Sequence, residues 1–307
     1  MAPGCSEGIR IEPCEDSYID VNFEQVAQTR TGYDGSGGIQ WTSGDAVKFA
    51  QYACVSGTWG ISPGKMTLSA DAATVSASFS FRTPDDGTTA YYYSLFPYAA
   101  NISTSTVTRD AKKVLLPQME IPAAQSPTAD SFDPDADILI SECVENVVKG
   151  ESSYTLQLRY TRPVALAKMN ITFVPTDSEV TEIVFSASGK AIAGKRTYDL
   201  STGDVYDGAR KSDTDLDTIT LTYADGGRSS ASESMIAYFC CLPFELAEGD
   251  TFSVRVSTAD GRTYSRDITL SGAQTLKLER GRGTRFTVNM DTGELSFDSY
   301  TFEDFTF

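Results

Sequence analysis

Short stretches in which apolar and polar residues alternate recur along the whole chain, each closed by Gly, Asp, Pro or Ser. A period of two sends successive side chains to opposite faces, which is the pattern of strands with one buried face. Ile19-Asp-Val21-Asn-Phe23 has it, and so does Val47-Lys-Phe49-Ala-Gln-Tyr52 with one slip. Val75-Ser-Ala77-Ser-Phe79-Ser-Phe81 sets its apolar residues on one face and Ser on the other, a strand that covers a core on one side only. Tyr91-Tyr-Tyr-Ser-Leu-Phe96 is more uniformly apolar and is stopped by Pro97. Helical periodicity is hard to find anywhere.

From Pro117 to Pro134 the chain changes character. Pro117, Pro122, Pro127 and Pro134 sit among Ala, Ser, Thr and Gln, which predicts an extended connection rather than a sheet interior. Asp137-Ile-Leu-Ile140 resumes a strand, and a dense new series begins after Val148-Lys-Gly-Glu151. Tyr154–Tyr160, Met169–Phe173, Ile183–Phe185, Ile219–Tyr223, Ala237–Phe239 and Phe252–Val256 follow in turn. Asp260-Gly261 marks a hairpin into Tyr264–Ile268, and Leu276–Leu278 and Phe286–Val288 close the set. Strands at this spacing predict an all-β chain of two tandem β-sandwiches, residues 17–150 and 151–307. Residues 1–16 read as a flexible leader and 299–307 as a possible extended tail.

Composition narrows the chemistry. In 307 residues there are 25 Lys and Arg against 42 Asp and Glu, a formal net charge of −17. A phosphate backbone is bound through clustered Lys and Arg, so nucleic acid is not an expected partner. The chain has no histidine, which removes Ser-His-Asp and Cys-His catalysis and every imidazole metal site. Carboxylate, Ser-Lys and Lys chemistry stay open, and a pair of glycosidase carboxylates has no sequence signature. The expectation is a protein that is not an enzyme and carries no cofactor or metal.

No run of 18 apolar residues occurs. The start, Met1-Ala-Pro-Gly-Cys5-Ser-Glu-Gly8, has two readings: a processed lipoprotein start with Cys5 as the lipidated residue, or an arbitrary boundary with an ordinary cysteine. Cys240 and Cys241 are adjacent and point to opposite faces of a strand, so they make a poor chelating pair. A Cys54–Cys143 bridge is open if the compartment is oxidising.

Other motifs fail on inspection. Asp133-Pro-Asp135-Ala-Asp137 has the 1-3-5 spacing of an EF-hand start, but Ile138 and Val144 stand where Gly and Glu are required. It reads as a solvated acidic turn. Gly281-Arg-Gly283-Thr-Arg-Phe286 lacks the third Gly of a dinucleotide fingerprint and precedes a strand, so it reads as a turn. Trp41, Trp59 and the Tyr91–Tyr93 run offer a sugar-stacking platform, represented by Trp59 and Tyr92, although large aromatics of a sandwich belong mainly to its core. At the end of the chain, Leu295 and Phe297 read as a last strand. Tyr300, Phe302, Phe305 and Phe307 form a segment suited to pairing with a sheet edge, in cis or in another subunit.

Thr29-Arg-Thr31 followed by Ile39-Gln-Trp41-Thr-Ser-Gly-Asp45-Ala-Val-Lys-Phe49 resembles the N-terminal signature of the fimbrillin-like proteins of Bacteroidales. Phe96-Pro-Tyr98, Phe132–Asp137, Arg162-Pro-Val-Ala-Leu166, Ile192–Lys195, Asp260–Tyr264 and Gly283–Val288 fall in that family's order, so the resemblance spans residues 17–290. It implies a lipoprotein exported to the outer membrane, with two transthyretin-like sandwiches, polymerising into a type V pilus with a role in adhesion. An Arg-specific protease would cut at Arg30 or Arg10. The strand within Ser17–Arg30 would leave, and an extended strand from a neighbouring subunit would fill its slot, with Tyr300–Phe307 as the candidate donor. The implied partners are other pilin subunits, the protease, and host or bacterial surface ligands, with membrane contact only through the lipid anchor. The alternative is a monomeric glycan-binding lipoprotein of the cell surface.

Overall fold

The computed structural model describes residues 18–26, 44–67, 69–70, 74–98, 106–109, 112–115, 117–128, 131–150, 153–172, 178–200, 204–205, 216–223, 234–272 and 274–297. All regular structure among them is β. The alternating runs become strands because each has one apolar face to bury, and two pairs of sheets bury them.

In the first pair, a four-stranded sheet runs Ser153–Gln157, Tyr18–Val26, Thr74–Arg82, Ser69–Ala70. It faces a six-stranded sheet ordered Tyr160–Thr161, Leu139–Ser141, Thr89–Phe96, Ala46–Val55, Thr58–Thr67, with Val144–Val147 also paired to Thr89–Phe96. Between them lie Val21, Val47, Phe49, Phe81, Tyr92, Phe96, Leu139 and Leu156. In the second pair, Ala124–Gln125, Thr218–Thr222, Val180–Ala187, Thr251–Thr258 and Thr263–Thr269 form one sheet. Ser234–Cys241, Ala165–Thr172, Gly283–Asn289 and Leu295–Phe297 form the other. Phe185 is the hub of this core, with ring centroids of Phe239, Phe252, Phe244 and Phe286 at 5.1, 5.5, 6.2 and 6.4 Å.

Two expectations change, and one strand appears that the pattern did not announce. The second series does not open at 151. Ser153–Gln157 runs parallel to Tyr18–Val26, and Tyr160–Thr161 pairs with Leu139–Ser141, so both complete the first pair of sheets. The proline-rich stretch is not merely a connection. Gln118–Ile121 pairs with Gly194–Asp199, and Ala124–Gln125 runs parallel to Thr218–Thr222, so this part of the first half is woven into the second. Proline is tolerated because Pro117 and Pro122 flank these strands instead of interrupting them. Finally, Thr58–Thr67 is a strand despite Gly60, Pro63 and Gly64, since it is an edge strand paired only with Ala46–Val55.

A third core joins the halves. The outer face of the six-stranded sheet contributes Ala50, Tyr52, Tyr93, Leu95 and Ile140, and the second half contributes Val164, Leu166, Tyr198, Leu200, Cys240 and Leu242. Met119 and Ile121 of the woven segment lie in the same cluster. Thr89–Phe96 is therefore buried on both faces, which is why its sequence runs apolar instead of alternating.

Candidate functional site

The first strand, Tyr18–Val26, is built into the middle of its sheet. Its nine residues pair antiparallel with Thr74–Arg82, and Asp20–Glu24 pair in parallel with Ser153–Gln157. Both neighbours come from far along the chain, so the strand is held by non-local backbone pairing and by its apolar face. Val21 is fully buried, between the register positions of Phe79 and Tyr154. Burying such a side chain stabilises by about 1.5–3 kcal/mol. Phe79 and Phe81 lie on the adjoining strand of the same sheet, with centroids 4.8 Å apart, and Phe49 of the facing sheet lies 5.4 Å from Phe81. The Phe79 ring lies over Gly64, where a β-carbon would collide with it. Only glycine lets the two sheets approach this closely.

The framework around the slot is fixed by polar contacts. Ser56 and Gly57, at φ of 51° and 76°, turn the hairpin between Ala46–Val55 and Thr58–Thr67. The Asp85 carboxylate accepts from the Ser56 and Gly57 amides, each at 2.8 Å, and from the Cys54 thiol at 3.2 Å. Chiefly the Gly57 amide, then the Cys54 thiol, hold the Asp85 carboxyl below the usual carboxylate value. Gly44, at φ 99°, opens the strand that follows, which gives the Gly44-Asp45 step of the sequence signature a backbone reason.

At the junction of the halves, Arg162 is 1% exposed. Its Nε donates to Asp137 Oδ1 at 2.6 Å and its Nη2 to Asp137 Oδ2 at 2.9 Å. This corrects the reading of Asp133–Asp137 as wholly solvated. Asp133 caps its own turn, accepting from the Asp135 and Ser126 amides, while Asp137 is buried against a guanidinium. Close by, the Gln125 side chain works as a one-residue strand against Cys240. Its Nε2 donates to the Cys240 carbonyl at 2.7 Å, and the Cys240 amide donates to its Oε1 at 3.0 Å. It thereby closes part of an otherwise open sheet edge.

The proposed aromatic platform is not assembled. Tyr92 is fully buried in the first core, whereas Trp59, 39% exposed, lies on the other face of the same sheet. The two-residue period separates them: Tyr52 and Tyr91, not Tyr92, share the Trp59 face, with centroids 5.2 Å from Tyr52 to Trp59 and 6.2 Å from Tyr52 to Tyr91. Cys54 and Cys143 are both thiols, so the open bridge is not formed. Cys240 and Cys241 face different cores, as strand geometry requires. Burial pushes both thiols up, and that of Cys143 to about 12. Cys5, Arg10, Arg30, Trp41, Tyr300, Phe302, Phe305 and Phe307 lie outside the described residues.

A solved structure from Bacteroides uniformis ATCC 8492, provisionally described as a cell adhesion protein, matches with a TM-score of 0.50 at 18% identity, over 96% of this chain and 100% of that one. The chain shares that fold. A second such protein, from Bacteroides ovatus ATCC 8483, matches at 0.49 and 10% identity, over 92% and 96% of the two chains. The tip fimbrial protein Mfa3 of Porphyromonas gingivalis, truncated at its C-terminus, matches at 0.38 and 9%, over 92% and 98%. No family model and no curated protein matches the chain.

Proposed function

We propose that this chain is a non-enzymatic, fimbrillin-like subunit of the cell surface that works in adhesion and assembles into a type V pilus by strand exchange. The observation that carries the reading is the placement of Tyr18–Val26 as an inner strand between Ser153–Gln157 and Thr74–Arg82. Losing an edge strand only shortens a sheet. Losing this one opens two facing strand edges over an apolar core, and an incoming strand with alternating apolar side chains repairs both. The ordered sequence motifs support the family, and the shared fold belongs to a protein provisionally assigned to cell adhesion.

In this reading Cys5 carries the lipid, Arg30 is the bond cut, because cleavage at Arg10 would only trim the chain ahead of the strand, and Tyr300–Phe307 is the donor. The partners are other copies or related subunits, an Arg-specific protease, and ligands on host or bacterial surfaces. The glycan-binding alternative loses Tyr92, which the core takes. The test is limited digestion with an Arg-specific protease, the cut at Arg30 verified by mass. Ladders or filaments after the cut are expected; a cleanly nicked protein that stays monomeric at high concentration overturns the assembly reading.

A further inference from the structure

The outer face of the six-stranded sheet is sealed in one part and open in another. Ala50, Tyr93 and Leu95 on that face are buried in the third core, whereas Trp59 is 39% exposed and Tyr91 is partly so. Strand register sets a row of side chains across the open part. Ile61 of Thr58–Thr67 lies opposite Tyr52, Tyr52 opposite Tyr91, and Tyr91 opposite Glu145 of Val144–Val147. Directly paired residues share a face, so an isoleucine, two phenols and an exposed carboxylate follow one another across four strands. Trp59 joins from the next level, its ring 5.2 Å from that of Tyr52 and tilted 31° to it, and Tyr91 lies 6.2 Å from Tyr52 on the other side. Tyr52 is buried and braces both. Val147, two residues beyond Glu145, adds an exposed isopropyl group on the same face. Burial first, and then the nearby Glu145 carboxylate, push the Tyr91 phenol up, so it keeps its proton as a donor.

Size and charge decide what this patch can hold. Trp59 and Tyr91 leave on the order of 100–200 Å² of ring uncovered, against about 800 Å² that each partner of a stable protein interface buries. A second copy of a chain with a net charge of −17 would also bring like charge to Glu145. A small neutral ligand meets neither difficulty. We propose, building on the adhesion reading, that Trp59, Tyr91 and Glu145 form the site at which the subunit holds a neutral oligosaccharide. One side of a sugar ring presents C–H groups of partial positive charge, which match the negative face of an aromatic ring. The hydroxyls at its rim need donors and acceptors, and Tyr91 supplies the first and Glu145 the second. Hydrogen bonds to an ionised carboxylate are the stronger kind. Rings that are already braced lose little freedom on binding. Sugars bearing carboxylate or sulfate are turned away by Glu145.

The test is electrophoresis of the intact, uncut chain through native gels containing mannan, galactan or β-glucan as neutral probes and polygalacturonate as an acidic one. Retardation by at least one neutral polysaccharide, and none by polygalacturonate, is expected. Trp59→Ala should weaken it at least tenfold and Glu145→Gln several-fold, with unchanged urea midpoints, because both side chains are exposed. If Trp59→Ala disturbs the fold, Glu145→Gln decides. Phe297→Ser, which removes an exposed ring from the second half, should change nothing. No retardation by any neutral probe overturns the proposal. So does equal retardation by polygalacturonate, an equal loss in Phe297→Ser, or full retention in Glu145→Gln.

Assembly plays no part in this assay, and attachment of the labelled protein to host or bacterial cells separates the site from the adhesion reading. Attachment undiminished in Trp59→Ala overturns the sugar assignment and leaves adhesion standing. No attachment at all, with gel retardation intact, overturns adhesion and leaves the site standing.

Discussion

At the residue scale, the Asp137–Arg162 pair shows how burial changes the meaning of a charged residue. Two charges out of water are tolerated because the contact is bidentate and both carboxylate oxygens are used. Asp137→Ala strands a guanidinium in the junction and is expected to cost about 3–5 kcal/mol, measured by urea unfolding. Replacing both partners with Leu and Met should cost much less, since no buried charge remains. Gly64 makes the opposite point, that an absent side chain is itself a contact. Gly64→Ala is expected to cost about 1–3 kcal/mol through the Phe79 ring, and much of that should return when Phe79→Val makes room. The sequence displayed each of these residues, but not their partners. Asp137 and Arg162 are 25 residues apart, and an acidic run next to proline looks solvated until its neighbour across the fold is known.

At the element scale, strands with regular alternation were legible and those with irregular composition were not. Val75–Phe81 and the hairpin at Asp260-Gly261 are where the pattern puts them. Thr58–Thr67 was hidden by its Gly and Pro residues, and Gln118–Ile121 by flanking prolines, because edge and flank positions relax the rules that interior strands obey. The Ser56–Gly57 hairpin depends on Asp85, and this dependence gives it a pH signature. With its folded pKa held below the model-compound value of 3.8, Asp85 contributes stability above that value. The contribution is lost as pH falls through the lower, folded pKa, where the carboxylate takes up its proton. Amide exchange at Ser56 and Gly57 is expected to accelerate as pH falls below about 4 beyond the intrinsic trend, and Asp85→Asn should remove the excess.

At the scale of the whole molecule, the third core makes the two pairs of sheets one cooperative body. Tyr92 in the first core and Tyr198 in the shared one are both pushed up to about 12, in each case mainly by burial. Below pH 10 folded and unfolded chains both keep these phenolic protons, so the contribution is complete. Between 10 and 12 the unfolded chain loses its protons first, and stability falls with rising pH. Phenolate absorbance at 295 nm and loss of the β signal in circular dichroism are expected to move together across that window. Early ionisation of Tyr198 without unfolding counts against the shared core as described, and that of Tyr92 against the first.

The sequence by itself determined the fold class and most of the strands, because side-chain alternation is a local property and burying one face is the only way to satisfy it. It also determined, through ordered motifs, which family the chain resembles. Tertiary structure alone decided which strands are neighbours. Backbone pairing carries no residue code, so nothing in Tyr18–Val26 announces that Ser153–Gln157 will lie beside it, or that the proline-rich segment will be woven into the second half. The same limit holds for the slot. Gln51 is one more polar residue in an alternating run until the fold seals it beside Tyr92.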